Sequence, residues 1–149
     1  MSGENRLEPI GAHALVARDG AVYLGGQPSL DDLDAWAEMG VKLVVNTRSQ
    51  AENADLGLDM AGQAAARGMA YVEIPMGGPD GVSPSIRERL TAALAANEGP
   101  AVIHCRTGPR AAHAYAAHLL ATGAMTPEEL TRFGWPGGLS VETLRALGA

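Results

Sequence analysis

The 149-residue chain is expected to form one α/β-sized domain with a core of its own, with no room for a second. Its formal charge of -6 and pI near 5.1 argue against nucleic acid or an anionic membrane as a partner, so any functional positive charge must be local. The single cysteine excludes an intrachain disulfide and a cysteine-rich zinc site, suits a reducing cytoplasm, and leaves no second thiol to resolve a covalent intermediate.

Residues 1–21 read as a polar N-terminal segment, and residues 22–149 as the folded domain. Residues 1–11 lack the apolar stretch of a secretory signal, and no run of about 18 apolar residues follows, so a soluble, cytoplasmic protein is expected. A short strand at 22–24 ends in Gly25-Gly26. Ser29 then caps a helix running to Met39, with Asp32 at the capping-box position and Leu30, Leu33, Trp36 and Ala37 on one face. Residues 41–46 form a continuous apolar strand of the kind buried on both faces of a parallel sheet, and it empties into Thr47-Arg48-Ser49-Gln50. The helical pattern over 53–67 is weakened by Gly57 and Gly62. A third main strand at 71–74 leads into a loop at 75–81, rich in glycine and proline, and Ser83-Pro84 starts a helix reaching Asn97. Residues 101–103 are a buried strand, Thr107 to Pro109 carry turn chemistry, and an alanine-rich helix runs from Arg110 to Thr122. Two short helices begun by Thr126 and Ser140 complete the chain. This alternation predicts a mainly parallel central sheet flanked by helices, with ligands at the carboxyl ends of its strands. Arg48, Asp80 and Cys105 would meet at that edge.

Cys105 is the candidate nucleophile. It follows a strand and precedes a helix, so loop N–H groups and the helix dipole converge on it. These groups, together with Arg106 and Arg110, would acidify the thiol, and the thiolate is the reactive form. Pro109 suits the first helical position, where its missing N–H costs nothing. Arg106, Thr107, Gly108, Pro109 and Arg110 make up the expected anion-binding loop, Arg110 gripping an oxyanion or persulfide with its planar fork and Thr107 offering a hydroxyl to the sulfur. Arg48 either presents a second positive charge to the anion or pairs with Glu52 four residues on. Asp80 is the candidate general acid, although Asp-Gly is also a common turn pair. His104 should point away from the site by strand alternation, and His113 and His118 do not share a helix face as metal ligands would. Phe133 and Trp135 are expected to anchor the tail. No cofactor or metal is required.

The stretches Leu24-Gly25-Gly26-Gln27-Pro28-Ser29, Val44-Val45-Asn46-Thr47-Arg48, Val72-Glu73-Ile74-Pro75 and His104-Cys105-Arg106-Thr107-Gly108-Pro109-Arg110 resemble the phosphatase-like domain of beta-lactamase-hydrolase-like proteins. The resemblance spans roughly residues 22–147. It implies a fold similar to dual-specificity and tyrosine phosphatases, Cys105 as nucleophile, Arg110 as the anion-holding arginine, and a sulfide-oxidising or persulfide enzyme as a partner. Tyrosine phosphatases place five residues between cysteine and arginine, whereas this chain places four, as in sulfur carriers of the rhodanese type. Relatives usually carry threonine where this chain has Pro109 and serine where it has Ala111. A tighter loop missing one N–H has fewer donors for phosphoryl oxygens.

Sulfane-sulfur transfer through Cys105, from thiosulfate or a small persulfide to a thiol or cyanide, therefore ranks first on sequence. Hydrolysis of tyrosine or other phosphate monoesters, with Asp80 as acid, is the alternative. A non-catalytic anion or persulfide sensor or carrier is the third reading.

Overall fold

The computed structural model describes residues 7–77 and 81–149. Its elements in chain order are β1 (Glu8–Ala12), β2 (Leu15–Asp19), β3 (Val22–Gly25), α1 (Leu30–Glu38), β4 (Leu43–Asn46), α2 (Gln50–Leu56), α3 (Met60–Ala66), β5 (Ala70–Glu73), α4 (Pro84–Ala95), β6 (Ala101–His104), α5 (Pro109–Ala121), α6 (Pro127–Leu130) and α7 (Val141–Ala146). The six strands form one sheet in the order β1-β2-β3-β6-β4-β5. Strands β3, β6, β4 and β5 are parallel, and β1 and β2 add an antiparallel hairpin beside β3.

That hairpin puts two strands into residues 1–21, which read on sequence as a polar N-terminal segment outside the folded domain. Leu15 and Ala17 alternate inward, and Leu7 is also buried, so residues 7–19 belong to the sheet. Its turn escapes a sequence reading because the two residues with positive φ are His13 and Ala14, not the glycine or asparagine that such turns favour. The weak pattern over 53–67 is likewise two helices. Gly57 closes α2 in the left-handed conformation at φ 69°, and the Asp59 side chain caps α3.

Strands β4 and β6 are buried throughout, as their unbroken apolar runs require. Their side chains alternate between two cores: Val44 and Val102 meet Leu33, Trp36, Met60 and Ala64, while Val45 and Ile103 meet the α4 and α5 side. Helix α5 can lie close to the sheet because Ala111, Ala112, Ala114, Ala116 and Ala117 are all fully buried and small. The expected capping box of Ser29 with Asp32 starts α1.

Register carries the fold to the site. Gly25 and Asn46 both pair with His104, so the loops after β3, β4 and β6 leave the sheet side by side at its carboxyl edge. They are stitched together there: Gln27 N–H donates to the Arg106 carbonyl at 3.0 Å, and Thr47 N–H to the His104 carbonyl at 2.8 Å. At Gly26 a Cβ atom would stand 2.7 Å from the Arg106 carbonyl oxygen, too close for any side chain. Gly26→Ala is expected to cost about 1–3 kcal/mol, as overpacked sites do, seen as a lower urea midpoint; an unchanged midpoint would show that these two loops are not in contact.

Candidate active site

Cys105 directly follows β6 with 1% exposure, at the bottom of a loop that turns directly into α5. The hydrogen bond to its Sγ comes from the Gly108 backbone N–H, at 3.0 Å. This differs from the expected Thr107 hydroxyl, because Thr107 is turned outward and exposed while Gly108, at φ 118°, folds its N–H back over the sulfur. Pro109 takes the first position of α5 as expected. Its ring packs against the 135–138 turn so closely that a Cβ at Gly137 would lie 2.8 Å from it.

Arg110 stands in the first turn of α5, and its guanidinium lies against the Cys105 thiol. It is not free to swing. Glu52 grips it with both oxygens, Nη1 to Oε1 at 2.5 Å and Nη2 to Oε2 at 2.9 Å, and Nη1 also donates to the Met76 carbonyl at 3.1 Å. Nε–H and the second Nη2–H are left over from the Glu52 grip, and the guanidinium also bonds the Cys105 thiol. These two donors lie on one edge of a planar group, the geometry that grips two oxygens of a tetrahedral anion.

Glu52 is itself held by local structure. It is the third residue of α2, and it forms a reciprocal capping box with Ser49. The turn before it is fixed by buried Asn46, which accepts from Arg48 N–H and donates to Asn53 Oδ1 and the Tyr71 hydroxyl. Bonding to Arg110 is the largest cause holding the Glu52 carboxyl well below the usual carboxylate range, against the opposing effect of burial. Glu52 in turn raises Arg110.

Arg48 satisfies the expected pairing, with Nε 3.5 Å from Glu52 Oε2, and its Nη1 donates to Gln27 Oε1 at 2.7 Å. One carboxylate thus serves both arginines. The roles of Glu52 and Gln27 beside Arg110 are new relative to the sequence reading, although the spacing Ser49-x-x-Glu52 right after a strand was a usable signal. Arg106 is exposed at the loop's rim. Asp80 lies outside the described residues.

His104 points away from the cradle as expected. It is fully buried and tilted against Trp36 at 6.2 Å, and its Nδ1 donates to the Cys105 carbonyl at 3.1 Å. Burial pushes its pKa down to about 4, with the Arg48 charge adding to the effect and the carbonyl contact opposing it. His113 bridges the Pro109 carbonyl and Ser140 N–H, whereas His118 meets Thr91, so the two serve different elements. Phe133 and Trp135 are buried, Trp135 donating to the Leu130 carbonyl, and they anchor the tail as expected.

Two windows of acid lability follow. Neutral His104 stabilises the fold above its unfolded value of 6.5, and that contribution disappears as pH falls from 6.5 toward 4. Ionised Glu52 contributes above its ordinary 4.5, and its share is lost below that pH. Glu52→Gln should lower stability at pH 7 by about 1–3 kcal/mol, since a half-buried ion pair falls between surface and interior cases, and should flatten the curve below pH 4.5 alone. Urea titrations across pH 3 to 8 read both; equal slopes below pH 4.5 for variant and wild type would remove Glu52 from this account.

Comparison with known proteins agrees with this geometry. A model of the phosphatase-like domain of beta-lactamase hydrolase-like proteins matches residues 15–121. The chain is 31% identical over 120 residues to a beta-lactamase hydrolase-like protein of Xylella fastidiosa strain Temecula1, covering 79% of this chain and 28% of that protein. It therefore spans less than a third of that relative's length. Among solved structures it is similar to Tk-PTP in its active form, with a TM-score of 0.67 at 18% identity, covering 85% of this chain and 87% of the other. It is equally similar to P. aeruginosa TpbA in complex with pTyr, with a TM-score of 0.67 at 17% identity, covering 99% and 89%. Among the described residues no helix is long and apolar enough to cross a membrane. A single α/β domain of cysteine-phosphatase fold with Cys105 at its strand end, the chain belongs to the phosphatase-like domain family of beta-lactamase hydrolase-like proteins.

Proposed function

We propose that the chain is a cysteine-dependent hydrolase of phosphate monoesters. The observation that carries this reading is the pinned Arg110: Glu52 holds the guanidinium beside Cys105 and leaves Nε–H and one Nη2–H on a common edge, matched to two oxygens of a phosphoryl group. The cysteine-phosphatase fold supports it, and one structural neighbour, TpbA, is solved with pTyr. This reverses the ranking that loop length alone suggests, because the matching family and the similar solved structures are phosphatase-like.

In the first step the Cys105 thiolate attacks phosphorus, the S–P bond forms as the P–O bond to the leaving group breaks, and the departing oxygen takes a proton. Asp80 is our candidate donor of that proton. In the second step water attacks phosphorus, orthophosphate leaves, and the thiolate is regenerated. Arg110 and the N–H groups of Arg106 and Thr107 carry the charge on the non-bridging oxygens, while the Gly108 N–H steadies the sulfur. Arg48 is a secondary contact to the anion.

One observation favours a second reading, sulfane-sulfur transfer. Four residues separate Cys105 from Arg110, and Pro109 removes one donor from the ring, leaving a cradle small enough for a single sulfur. There the thiolate would attack the outer sulfur of thiosulfate, sulfite would leave, and a thiol or cyanide would take the sulfur from the Cys105 persulfide. A partner in sulfide oxidation belongs to this reading.

Turnover of an aryl phosphate by wild type, at least about a hundredfold above Cys105→Ser as covalent catalysis requires, with Asp80→Asn slowed most on poor leaving groups, is expected. Intact mass separates the rivals: a gain of one sulfur after brief exposure to thiosulfate, reversed by cyanide, without any ester hydrolysis, would overturn the phosphatase reading.

A further inference from the structure

Arginines gather at the cradle beyond what one phosphoryl group needs. Arg48, Arg106 and Arg110 come from two strand ends to one edge of a chain whose net charge is -6. Among the described residues, the acid paired with them is Glu52. Three arginines against Glu52 and the Cys105 thiolate leave the cluster an excess of one positive charge before a ligand arrives.

Arg48 is the least satisfied of the three. Its side chain is only 12% exposed, its Nε is buried without a hydrogen-bond partner, and its nearest charge is 3.5 Å away. One strong bond is made, from Nη1 to the neutral Gln27 oxygen. Among the described residues its Nη2 group meets no acceptor. Nε is turned inward to Glu52, which leaves the Nη2 edge to donate to an incoming anion. Its place is also set: Arg48 Nε and Arg110 Nη2 contact the same Glu52 oxygen, at 3.5 and 2.9 Å, so they stand no further apart than those two legs laid end to end.

Resting on the phosphatase reading, we propose that the site selects small phosphate monoesters whose alcohol part carries a second anionic group. The phosphoryl group occupies the Cys105 loop and the free edge of Arg110; the second anion takes the open Nη2 edge of Arg48, with Arg106 at the rim. Esters without that second charge are turned over more slowly than those that carry it.

The test uses a size-matched pair, 3-phosphoglycerate and glycerol 3-phosphate, which differ by a carboxylate in place of a hydroxymethyl group. Phosphate release should favour 3-phosphoglycerate in kcat/KM by about tenfold or more, the worth of one charge-assisted hydrogen bond. Arg48→Gln should collapse that ratio toward one, chiefly through KM, and Arg48→Lys should keep part of it. A ratio near one in wild type overturns the proposal. So does an Arg48→Gln variant that slows both esters equally with the ratio intact, because Arg48 would then only position Glu52. If wild type hydrolyses neither ester nor an aryl phosphate faster than Cys105→Ser, the phosphatase reading fails by itself. Calorimetric binding of the same two esters to folded Cys105→Ser then decides the subsite, with the same ratio supporting it and equal affinities overturning it.

Discussion

A single carboxylate shared by two guanidinium groups ties the carboxyl edge of this sheet together. Glu52 arrives on the first turn of α2, after β4, and closes on Arg110 from the first turn of α5, after β6. The two residues are 58 positions apart, yet each is fixed by its own helix start. An exposed pair of this kind contributes little, because water screens it and two long side chains must be ordered. Here about a quarter of each side chain is exposed, and the second arginine adds to the pairing. The result is a guanidinium with one edge spent on protein and one edge left for a ligand. Without that constraint Arg110 would be a mobile surface cation beside a buried thiol.

The parallel sheet makes the constraint possible. Because β3, β6 and β4 end in register at Gly25, His104 and Asn46, three loops emerge within hydrogen-bonding reach of one another. Gly26 allows the first to touch the third, and Asn46 locks the second into the turn that presents Arg48 and Ser49. His104 supports the same junction from beneath. Kept neutral by burial, it holds the Cys105 carbonyl while its ring packs on Trp36. Cys105 is therefore braced on three sides, by strand, loop and helix start, before any substrate is present.

The loop sets four residues between Cys105 and Arg110, and the tail takes part in building it. Pro109 needs the close glycine turn at 137 to seat its ring, and His113 links the Pro109 carbonyl to the Ser140 start of α7. The short helices at the end of the chain thus buttress the helix that carries Arg110. Phe133 and Trp135 fasten that buttress to the core.

The sequence by itself determined the local starts and stops. The apolar runs of β4 and β6, the caps at Ser29 and Thr126, the alanine-rich α5 and the turn at Cys105 to Arg110 are set by periodicity and by backbone preferences that act over a few residues. Those same signals placed Cys105, Arg110 and Arg48 at one edge, since strand ends in a parallel sheet converge. What stayed hidden were pairings with no local signature. The hairpin at residues 8–19 turns through His13 and Ala14, and only contact with β3 makes that conformation worthwhile. The exchange of partners at Glu52 was hidden for the same reason. Sequence spacing offered Arg48, four residues away, while the stronger bond goes to Arg110, brought near by the order β6-β4 in the sheet. Tertiary structure decided the shape of the anion site because a charged side chain bonds to whatever lies within about 3 Å in space, and separation along the chain carries no information about that distance once the sheet has formed.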